Sequence, residues 1–446
     1  MSKQSSELFI CSHCDAQSPK WQGRCPECGK WGTLEKTSLS QVPETNKSAT
    51  SAPGKVVDFN NITAQDFSRT KTGLEEFDRV LGGGIVNGSL ILLGGEPGIG
   101  KSTLVLQLLN NLKGNCLYVS GEESAEQIKT RIDRLKINDQ HLKFLGETNV
   151  ETIIATIINE KPSLTIIDSI QTIYSQEAPS ASGSINQVRI CTTKLLETAK
   201  HYGQTIIVIG HVTKFGEVAG PKTLEHLVDV VLYLEGDQYH AFRILRGAKN
   251  RFGSTAEVGI FEMQSRGLVE VHDPSVIFLE NKNHIPGSVI TAAVEGSRIF
   301  MLEIQALVNT TNFGYPQRKT NGFDLNRLQL LSATIAQRLG LKLANQDIYL
   351  NLVGGLKISE PALDLPVCLA VISALKNKSL PQDTVAFGEV GLGGEIRSVN
   401  QTAQRINEAR RLGFKQIIIP ATKEKITGAE IKINQVKTLA QILDLF

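Results

Sequence analysis

The segment GEPGIGKS, residues 95–102, constrains the fold of this 446-residue chain more than any other feature. Its glycines, lysine and serine match the pattern G-x-x-x-x-G-K-[ST], a loop whose backbone amides hold phosphates between a strand and a helix. The apolar run SLILLGG leads into it, and a helical pattern over residues 101–112 follows it. The sequence therefore predicts an α/β domain that binds a nucleoside triphosphate.

Further β-rich runs, NCLYVS, LTIIDS and TIIVIGHV, alternate with helical patterns such as residues 188–202. This alternation predicts a mostly parallel sheet flanked by helices. The runs VVLYLEG, HAFRILR and TAEVGIFEM follow after shorter connections, and we expect them to add antiparallel strands. This pattern ends near Asp273-Pro274. Strands, a helix over residues 324–339 and mixed α and β segments follow.

We therefore expect four segments: a cysteine-rich module over residues 1–35, a flexible Ser/Thr/Pro-rich linker over 36–55, an ATPase domain over 56–275 and an α+β domain over 276–446. No apolar stretch reaches the roughly 18 residues that span a bilayer, and the start of the chain lacks a secretory signal. These features predict a cytoplasmic protein with no membrane partner. The net charge of +2 means that any polyanion site is a local patch.

Cys11, Cys14, Cys25 and Cys28 form two CxxC pairs separated by ten residues. Four thiolates on two tight turns suit tetrahedral Zn²⁺. A redox dithiol pair and two disulfides are the alternatives, and both fit a cytoplasmic protein with doubled pairs less well. Because a module of this length buries only a small core, we expect its folding to depend on the metal.

The expected phosphate site for ATP comprises the loop and the first helical turn: Gly95, Glu96, Pro97, Gly98, Ile99, Gly100, Lys101, Ser102 and Thr103. Lys101 would reach the β- and γ-phosphates, and Ser102 would bind Mg²⁺. Asp168, which ends the run LTIID, would hold the same Mg²⁺ through a water, unless it only caps its strand.

Two further positions complete the expected catalytic set. Glu122 or Glu123, in YVSGEES, would orient the attacking water, and the spacing favours Glu122. His211, in IGHVTK, would sense the γ-phosphate. A hydrogen-bonded histidine at a strand end, without that role, is the alternative.

These motifs resemble one family when read in order: the CSHC finger, SPKWQGRCPECGKW, GGEPGIGKST, SGEES, HVTKFGEVAGPKTLEHLVD and KNRFG. The similarity is to the bacterial RadA (Sms) family of DNA repair proteins, and it extends over nearly the whole chain. The resemblance implies a core like those of RecA and hexameric DnaB-type helicases. It also implies a homo-oligomeric ring, expected to be a hexamer, which uses ATP to translocate on single-stranded DNA and to migrate branched DNA. A recombinase or a replicative helicase would be a further partner.

Such a ring gives the basic segment RGAKNRFGS, residues 246–254, a role. It holds three cations and two glycines and no acid. If ATP lies between neighbouring subunits, Lys249 and Arg251 would complete the next subunit's site, and Gly247 and Gly253 would permit close approach. Arg251 is the better candidate because its planar guanidinium pairs with phosphate bidentately. The alternatives are contact with the DNA backbone and a solvated turn.

The segment KFGEVAGPK, which begins at Lys214 and ends at Lys222, is expected to form a DNA-facing loop in the ring channel. Its Phe215 would either stack on a base or anchor the loop.

Toward the C-terminus, EPALDLPVCLAVISAL and GEVGLGGEIRSVNQTAQRINEARRLG resemble the proteolytic domain of Lon. The positions of the Lon serine and lysine fall on Val367 and Ala403, so the resemblance implies the fold without peptide hydrolysis. We expect this domain to assemble the ring or to contact duplex DNA. The candidate basic residues are Arg318, Lys319, Arg327, Arg405, Arg410 and Arg411. An ATP-dependent protease and a P-loop autokinase of the circadian-clock type are the competing function classes.

Overall fold

The computed structural model describes residues 8–11, 17–18, 20–25, 30–37, 68–211, 224–236, 242–273, 275, 285–311, 314–353, 358–381, 383–422 and 431–446. Within these ranges the chain builds a three-stranded antiparallel sheet, two two-stranded antiparallel pairs and two large sheets flanked by helices. The predicted α/β class is confirmed.

The N-terminal module is a three-stranded antiparallel sheet in the order β2-β1-β3. Its strands are β1 (Leu8–Cys11), β2 (Gln17–Ser18) and β3 (Leu34–Thr37). Its small core contains Cys11, Cys25 and Leu34, each at most 5% exposed, with Phe9 packed against them. So small a core needs a further source of stability.

The central domain contains a nine-stranded sheet among the described residues, in the order β14-β13-β12-β11-β6-β10-β9-β7-β8. A short antiparallel pair, β4 (Arg69–Thr70) and β5 (Ile85–Val86), precedes it. The strands of the large sheet are β6 (Leu90–Gly95), β7 (Cys116–Ser120), β8 (Leu142–Leu145), β9 (Leu164–Asp168), β10 (Ile206–His211), β11 (Val230–Glu235), β12 (Phe242–Asn250), β13 (Val258–Gln264) and β14 (Gly267–Glu270).

Strands β6 to β11 pair in parallel, and β12, β13 and β14 are antiparallel. The expectation that VVLYLEG adds an antiparallel strand is therefore wrong, because this run is β11 and lies parallel to β6. Residues 212–229 separate it from β10, which exceeds the dozen or so residues that a parallel crossover needs. The antiparallel expectation holds for the two runs that follow, β12 and β13.

Helices cover both faces of this sheet. They are α1 (Glu75–Val80), α2 (Lys101–Asn111), α3 (Ala125–Leu135), α4 (Val150–Glu160) and α5 (Ile185–Tyr202). Ser124, Asn149 and Ser184 accept hydrogen bonds from the first turns of α3, α4 and α5, which sets where these helices begin. The sheet between them is almost wholly apolar, as expected of parallel strands buried on both faces.

The C-terminal domain contains a mixed seven-stranded sheet among the described residues, in the order β17-β18-β16-β15-β19-β22-β23. Its strands, with the β20–β21 pair beside it, are β15 (Ser288–Glu295), β16 (Arg298–Thr310), β17 (Arg318–Asn321), β18 (Gln346–Leu352), β19 (Thr384–Ala386), β20 (Glu389–Val390), β21 (Ile396–Arg397), β22 (Gln416–Pro420) and β23 (Lys432–Val436). Its helices are α6 (Leu325–Leu339), α7 (Asp364–Lys376) and α8 (Thr402–Arg411).

The turn between β15 and β16 joins this domain to the central one. Arg298 donates to the Glu76 carboxylate at 2.7 Å and to the His272 carbonyl at 2.6 Å. Glu76 is fully buried and also accepts from the backbone amide of Ile260. Because a buried carboxylate left without a partner is costly, this ion pair ties the two domains together.

No helix among the described parts of the chain is long and apolar enough to cross a membrane.

We predict that Gly296→Ala destabilises the protein strongly. Gly296 lies in the β15–β16 turn with φ +65°, and a Cβ there would lie 1.8 Å from the carbonyl oxygen of Ala256 in the central domain. Gly340 is a matched control, since its φ is +66° but nothing lies within 4 Å of its Cβ position. Gly340→Ala should therefore show backbone strain alone, about 1–2 kcal/mol, and Gly296→Ala at least about 2 kcal/mol more. Thermal unfolding midpoints check this, and equal losses in the two variants would contradict the described domain contact.

Candidate nucleotide-binding site

The phosphate loop lies at the carboxyl end of β6, which runs through the middle of the sheet between β10 and β11. The loop leads into α2, whose N-cap Gly100 has φ +116°. A Cβ at Gly100 would lie 2.7 Å from the Met263 side chain, and one at Gly95 would lie 2.7 Å from the Leu234 carbonyl. The positive φ at Gly100 and the backbone contact at Gly95 both favour glycine, so the loop can curl tightly over the helix N-terminus.

Lys101 points back over this loop. Its ammonium donates to the carbonyls of Gly95 and Glu96 at 2.9 and 3.0 Å. Burial lowers the pKa of Lys101 to about 8, and the nearby carboxylates of Asp168 and Glu122 oppose that shift. The residue is thus a buried cation held where a phosphate would offer stronger acceptors.

Asp168 ends β9, two strands away from the loop, and is 7% exposed. Its carboxylate accepts a 2.6 Å hydrogen bond from the hydroxyl of Tyr118 on β7. Burial, with Asp168 beside it, raises the pKa of Tyr118 well above its usual range, so this hydroxyl stays a donor. The tyrosine therefore fixes the direction of the carboxylate.

The two neighbouring glutamates differ in their contacts. Glu123 forms a bidentate ion pair with Arg131 on α3, at 2.8 and 2.6 Å. Glu122 accepts from the hydroxyl of Ser169 at 2.6 Å, and its carboxylate lies 3.6 Å from the His211 ring. Only Glu122 is thus directed toward the Lys101 and His211 side of the site.

His211 ends β10 beside Gly95 in the parallel register. Its Nδ1 lies 3.2 Å from the Lys101 ammonium, which can only donate, so Nδ1 accepts and the proton resides on Nε2. Burial and the positive charge of Lys101 lower the pKa of His211. The ring therefore bridges Lys101 and Glu122 as a neutral imidazole.

Sequence reasoning missed several residues that support this site. Arg243 on β12 is 5% exposed and donates to the Ile99 carbonyl of the phosphate loop at 3.1 Å. The side-chain amide of Gln171 donates to the His211 carbonyl at 3.5 Å. An arginine inside the apolar run HAFRILR was the available signal for Arg243, because a buried charge in a strand needs a specific partner.

The basic segment that contains Lys249 and Arg251 lies at the opposite edge of the sheet. Val230, which starts β11, pairs with Ile91 on one side and with Asn250 on the other. The Arg251 amide donates to the carbonyl of Asp229, which is bonded through its own amide to Leu90 at the start of β6. Gly95 is five residues further along β6, so about 16 Å separates the phosphate-loop end of the strand from the end near Arg251. Neither cation can reach the phosphate loop of its own chain.

Lys249 and Arg251 are held differently. The Lys249 ammonium donates to three carbonyls of its own chain, Glu225, His226 and Val228, at 2.7 to 3.3 Å. Burial, reinforced by Arg251, lowers the pKa of Lys249. The Arg251 side chain is half exposed and lies 3.4 Å from the Asp229 carboxylate.

The glycines of this segment make no tight approach within the chain. A Cβ at Gly247 or Gly253 would meet its neighbours at 3.6 Å and 3.4 Å, which is ordinary van der Waals contact.

Some expected site residues lie outside the described part of the chain: Cys14, Cys28, Lys214, Phe215 and Lys222. The other two cysteines of the pairs, Cys11 and Cys25, are 0% and 1% exposed and share one small core. Two buried thiols brought together from separate CxxC pairs fit the donor set for Zn²⁺.

The C-terminal cations do not form the expected duplex-binding face as a set. Arg405 is fully buried and pairs with Glu360, so its assignment to that face is wrong. Arg327 pairs with Asp364, and Arg318 donates to the carbonyls of residues 343 and 346. Arg411 pairs with Glu408 and Asp273 but remains half exposed, and Lys319 is exposed.

At the two positions aligned with the Lon dyad, Val367 is fully buried inside α7 and Ala403 is exposed on α8. Neither side chain carries a nucleophile or a base.

Three family models match the chain. The AAA domain matches residues 58–217, the subunit ChlI of Mg-chelatase matches residues 329–423, and a rubredoxin metal binding domain matches residues 9–36. The chain thus has an N-terminal metal-binding ribbon, a central AAA ATPase domain and a ChlI- or Lon-like C-terminal domain, which confirms the predicted fold.

Curated relatives match the chain over nearly its whole length. The DNA repair protein RadA of Bacillus subtilis (strain 168) is 49% identical, covering 94% of this chain and 93% of that protein. RadA of Streptococcus pyogenes serotype M1 is 48% identical with 98% of each covered, and RadA of Listeria monocytogenes serovar 1/2a is 45% identical with 98% and 97% covered. The family resemblance drawn from the motifs is confirmed, and the chain belongs to the DNA repair protein RadA family.

Proposed function

We propose that this protein is a DNA-dependent ATPase that acts as a ring, expected to be a hexamer, translocates on single-stranded DNA and migrates branched recombination intermediates in the cytoplasm. The supporting observation is the separation of the phosphate loop from Lys249 and Arg251 at opposite edges of one sheet. A basic motif that cannot reach its own nucleotide can act on the nucleotide of an adjacent copy. Because the proposed motor acts on single-stranded DNA, purified protein should hydrolyse ATP faster when single-stranded DNA is added. Neither an ATP-dependent protease nor an autokinase would require this stimulation.

The described residues fit a magnesium nucleotide. The loop of residues 95–100 and the start of α2 would hold the phosphates, with Lys101 on the β- and γ-phosphates and Ser102 and Asp168 toward Mg²⁺. The metal, when bound, neutralises the charge that develops on the phosphates. Lys101 already lies over the loop, so exchanging its two carbonyl acceptors for phosphate oxygens needs little rearrangement.

Glu122 is the candidate base. Its carboxylate is free of any arginine partner among the described contacts and faces His211, whereas Glu123 is neutralised by Arg131. His211 touches Lys101 on one side and Glu122 on the other, so a change in nucleotide state would reach both residues through one ring. Residues 212–223 follow directly, and this segment includes Lys214 and Lys222, the proposed DNA contacts.

We predict that Glu122→Gln lowers kcat for ATP hydrolysis at least about a hundredfold and leaves ATP affinity nearly unchanged, because an amide cannot accept the proton of the attacking water. Glu123→Gln is the matched control and should lower kcat far less, since it removes only an ion pair with Arg131. Steady-state ATPase rates and equilibrium nucleotide binding test this. A larger loss for Glu123→Gln would reverse the assignment.

At the proposed subunit seam the two cations would have different roles. The Lys249 ammonium is occupied by the carbonyls of residues 225–228, which follow the proposed DNA-binding segment. Arg251 is half exposed, and among the described residues its guanidinium has one long contact, with Asp229. We therefore propose that Arg251 approaches the neighbouring nucleotide and that Lys249 holds the chain around Arg251 in place. Contact of either cation with the DNA backbone is the alternative.

We predict that Arg251→Ala and Lys101→Ala each abolish ATP hydrolysis, and that mixing the two variants restores part of it. A mixed interface can contain one intact phosphate loop and one intact Arg251, provided that the two act across the seam. Arg251→Ala should retain ATP binding, unlike Lys101→Ala. The ATPase rate is measured over a series of mixing ratios, and absence of recovery at every ratio would exclude action in trans.

The N-terminal module would hold Zn²⁺ with Cys11, Cys14, Cys25 and Cys28, which supplies the stability that its small core lacks. We predict that Cys28→Ser releases zinc and unfolds this module but leaves nucleotide binding by the central domain intact. Metal content by atomic absorption and nucleotide affinity are measured on the same sample. Concurrent loss of nucleotide binding would show that the module is not independent.

The C-terminal domain would serve ring assembly rather than proteolysis, because Val367 and Ala403 supply neither nucleophile nor base. Its contact with duplex DNA would fall to the exposed cations, chiefly Lys319 and Arg411. A recombinase or a replicative helicase would be a partner of the assembled ring.

A further inference from the structure

The chain contains two tryptophans, and both lie exposed on the N-terminal module. Trp21 is 62% exposed and Trp31 is 76% exposed. Indole is the largest apolar side chain, and a protein that needs it only for packing keeps it covered. Neither ring therefore serves the core of this module.

The two indoles belong to one surface. Arg24 and Trp31 form an antiparallel bridge, the Gly32 amide donates to the Gly23 carbonyl at 2.8 Å, and the Cys25 amide donates to the Lys30 carbonyl at 2.9 Å. A Cβ at Gly23 would lie 3.5 Å from the ring of Trp31 and 4.0 Å from the ring of Trp21. Glycine at this position leaves the two rings side by side on a hydrogen-bonded turn.

The described charges closest to the rings in the sequence are positive. Lys20, Arg24 and Lys30 flank them on exposed positions. The described positions between 20 and 31 carry no carboxylate, and Glu27 of the same stretch lies outside the described residues. Aromatic faces next to cations are how proteins bind single strands without sequence preference, because every base has a face that stacks and every nucleotide has a phosphate.

A protein partner fits this surface less well. Among the module's residues whose side chains the structure describes, no other large apolar side chain is exposed, so their exposed apolar area is confined to two rings. A stable protein interface buries on the order of 800 Å² on each partner around an apolar centre. Two rings flanked by cations are better suited to stacking on a pair of bases than to forming the apolar centre of a protein interface.

We propose that Trp21 and Trp31, with Lys20, Arg24 and Lys30, form a stacking site for unpaired bases of single-stranded DNA. This inference deepens the proposed function and rests on it, because it takes the same DNA as its ligand. It assigns the N-terminal module a direct contact with the strand, separate from the ring channel.

The test uses the full chain with zinc bound and an unlabelled thymidine oligonucleotide. Because both tryptophans lie in the proposed site, intrinsic tryptophan fluorescence reports on this site alone, and stacking should quench it. An abasic oligonucleotide of equal length keeps the phosphates but lacks the bases, so it should leave the emission nearly unchanged. Equal effects of the two oligonucleotides would overturn stacking in favour of charge alone.

Substitutions give a second readout through fluorescence polarisation of a dye-labelled oligonucleotide. Trp31→Ala should weaken binding roughly fivefold or more, the low end for one base stacked on one ring, and Trp31→Phe should retain most of it. Gln22→Ala, on the exposed position between Trp21 and Gly23, is the control and should have no effect. Unchanged zinc content and unchanged ATP hydrolysis without DNA show that the variants are folded.

Two failures can be told apart. If polarisation shows DNA binding and DNA still stimulates ATP hydrolysis, while tryptophan emission stays constant, the stacking site is wrong and the proposed function stands. If DNA neither binds nor stimulates hydrolysis, both are wrong.

Discussion

The parallel pairing of β6 between β10 and β11 is the constraint on which the rest of this structure depends. At its carboxyl end the register places His211 next to Gly95, so the phosphate loop and the residue that touches Lys101 share one edge. At its amino end Leu90 is bonded to Asp229, which holds Arg251. One strand thus fixes both the chemistry of the site and its distance from the basic segment. A shift of this register would alter the two edges together, because every side chain on the strand would change position.

The parts of this architecture that the sequence predicts are the local ones. The phosphate loop, its strand and its helix follow from a contiguous pattern, and so do the strand runs on either side. The direction of β11 does not follow from such a pattern, because it depends on where an 18-residue connection returns the chain rather than on the residues of the strand. The spacing favours Glu122 over Glu123 as the base. The different partners of the two residues, Ser169 for Glu122 and Arg131 for Glu123, are visible only once α3 packs beside the sheet. Which side chains pair depends on how the helix and the strands pack, and the spacing of the two glutamates does not reveal it.

Cations in this chain illustrate why residue type alone is a poor guide to a binding surface. Arg405 and Arg251 read alike in the sequence, yet Arg405 is sealed against Glu360 and Phe387 while Arg251 is half exposed. Arg243 supports the phosphate loop from a buried strand, and Lys249 caps backbone carbonyls. Burial decides whether a charge is satisfied internally or is available to a polyanion, since a desolvated cation requires a fixed partner.

The burial of Val367 bears on what peptide hydrolysis would require of the Lon-like domain. The side chain is fully enclosed within α7, and it belongs to the hydrophobic core that also contains Leu365 and Leu369. A serine at this position would carry its hydroxyl into a sealed apolar interior that no peptide bond can enter. The position that the Lon resemblance pairs with a serine nucleophile is a packing position in this chain. A hydrolytic site at this position would therefore need an opened cleft as well as a new nucleophile and a new base, which two point substitutions alone would not supply.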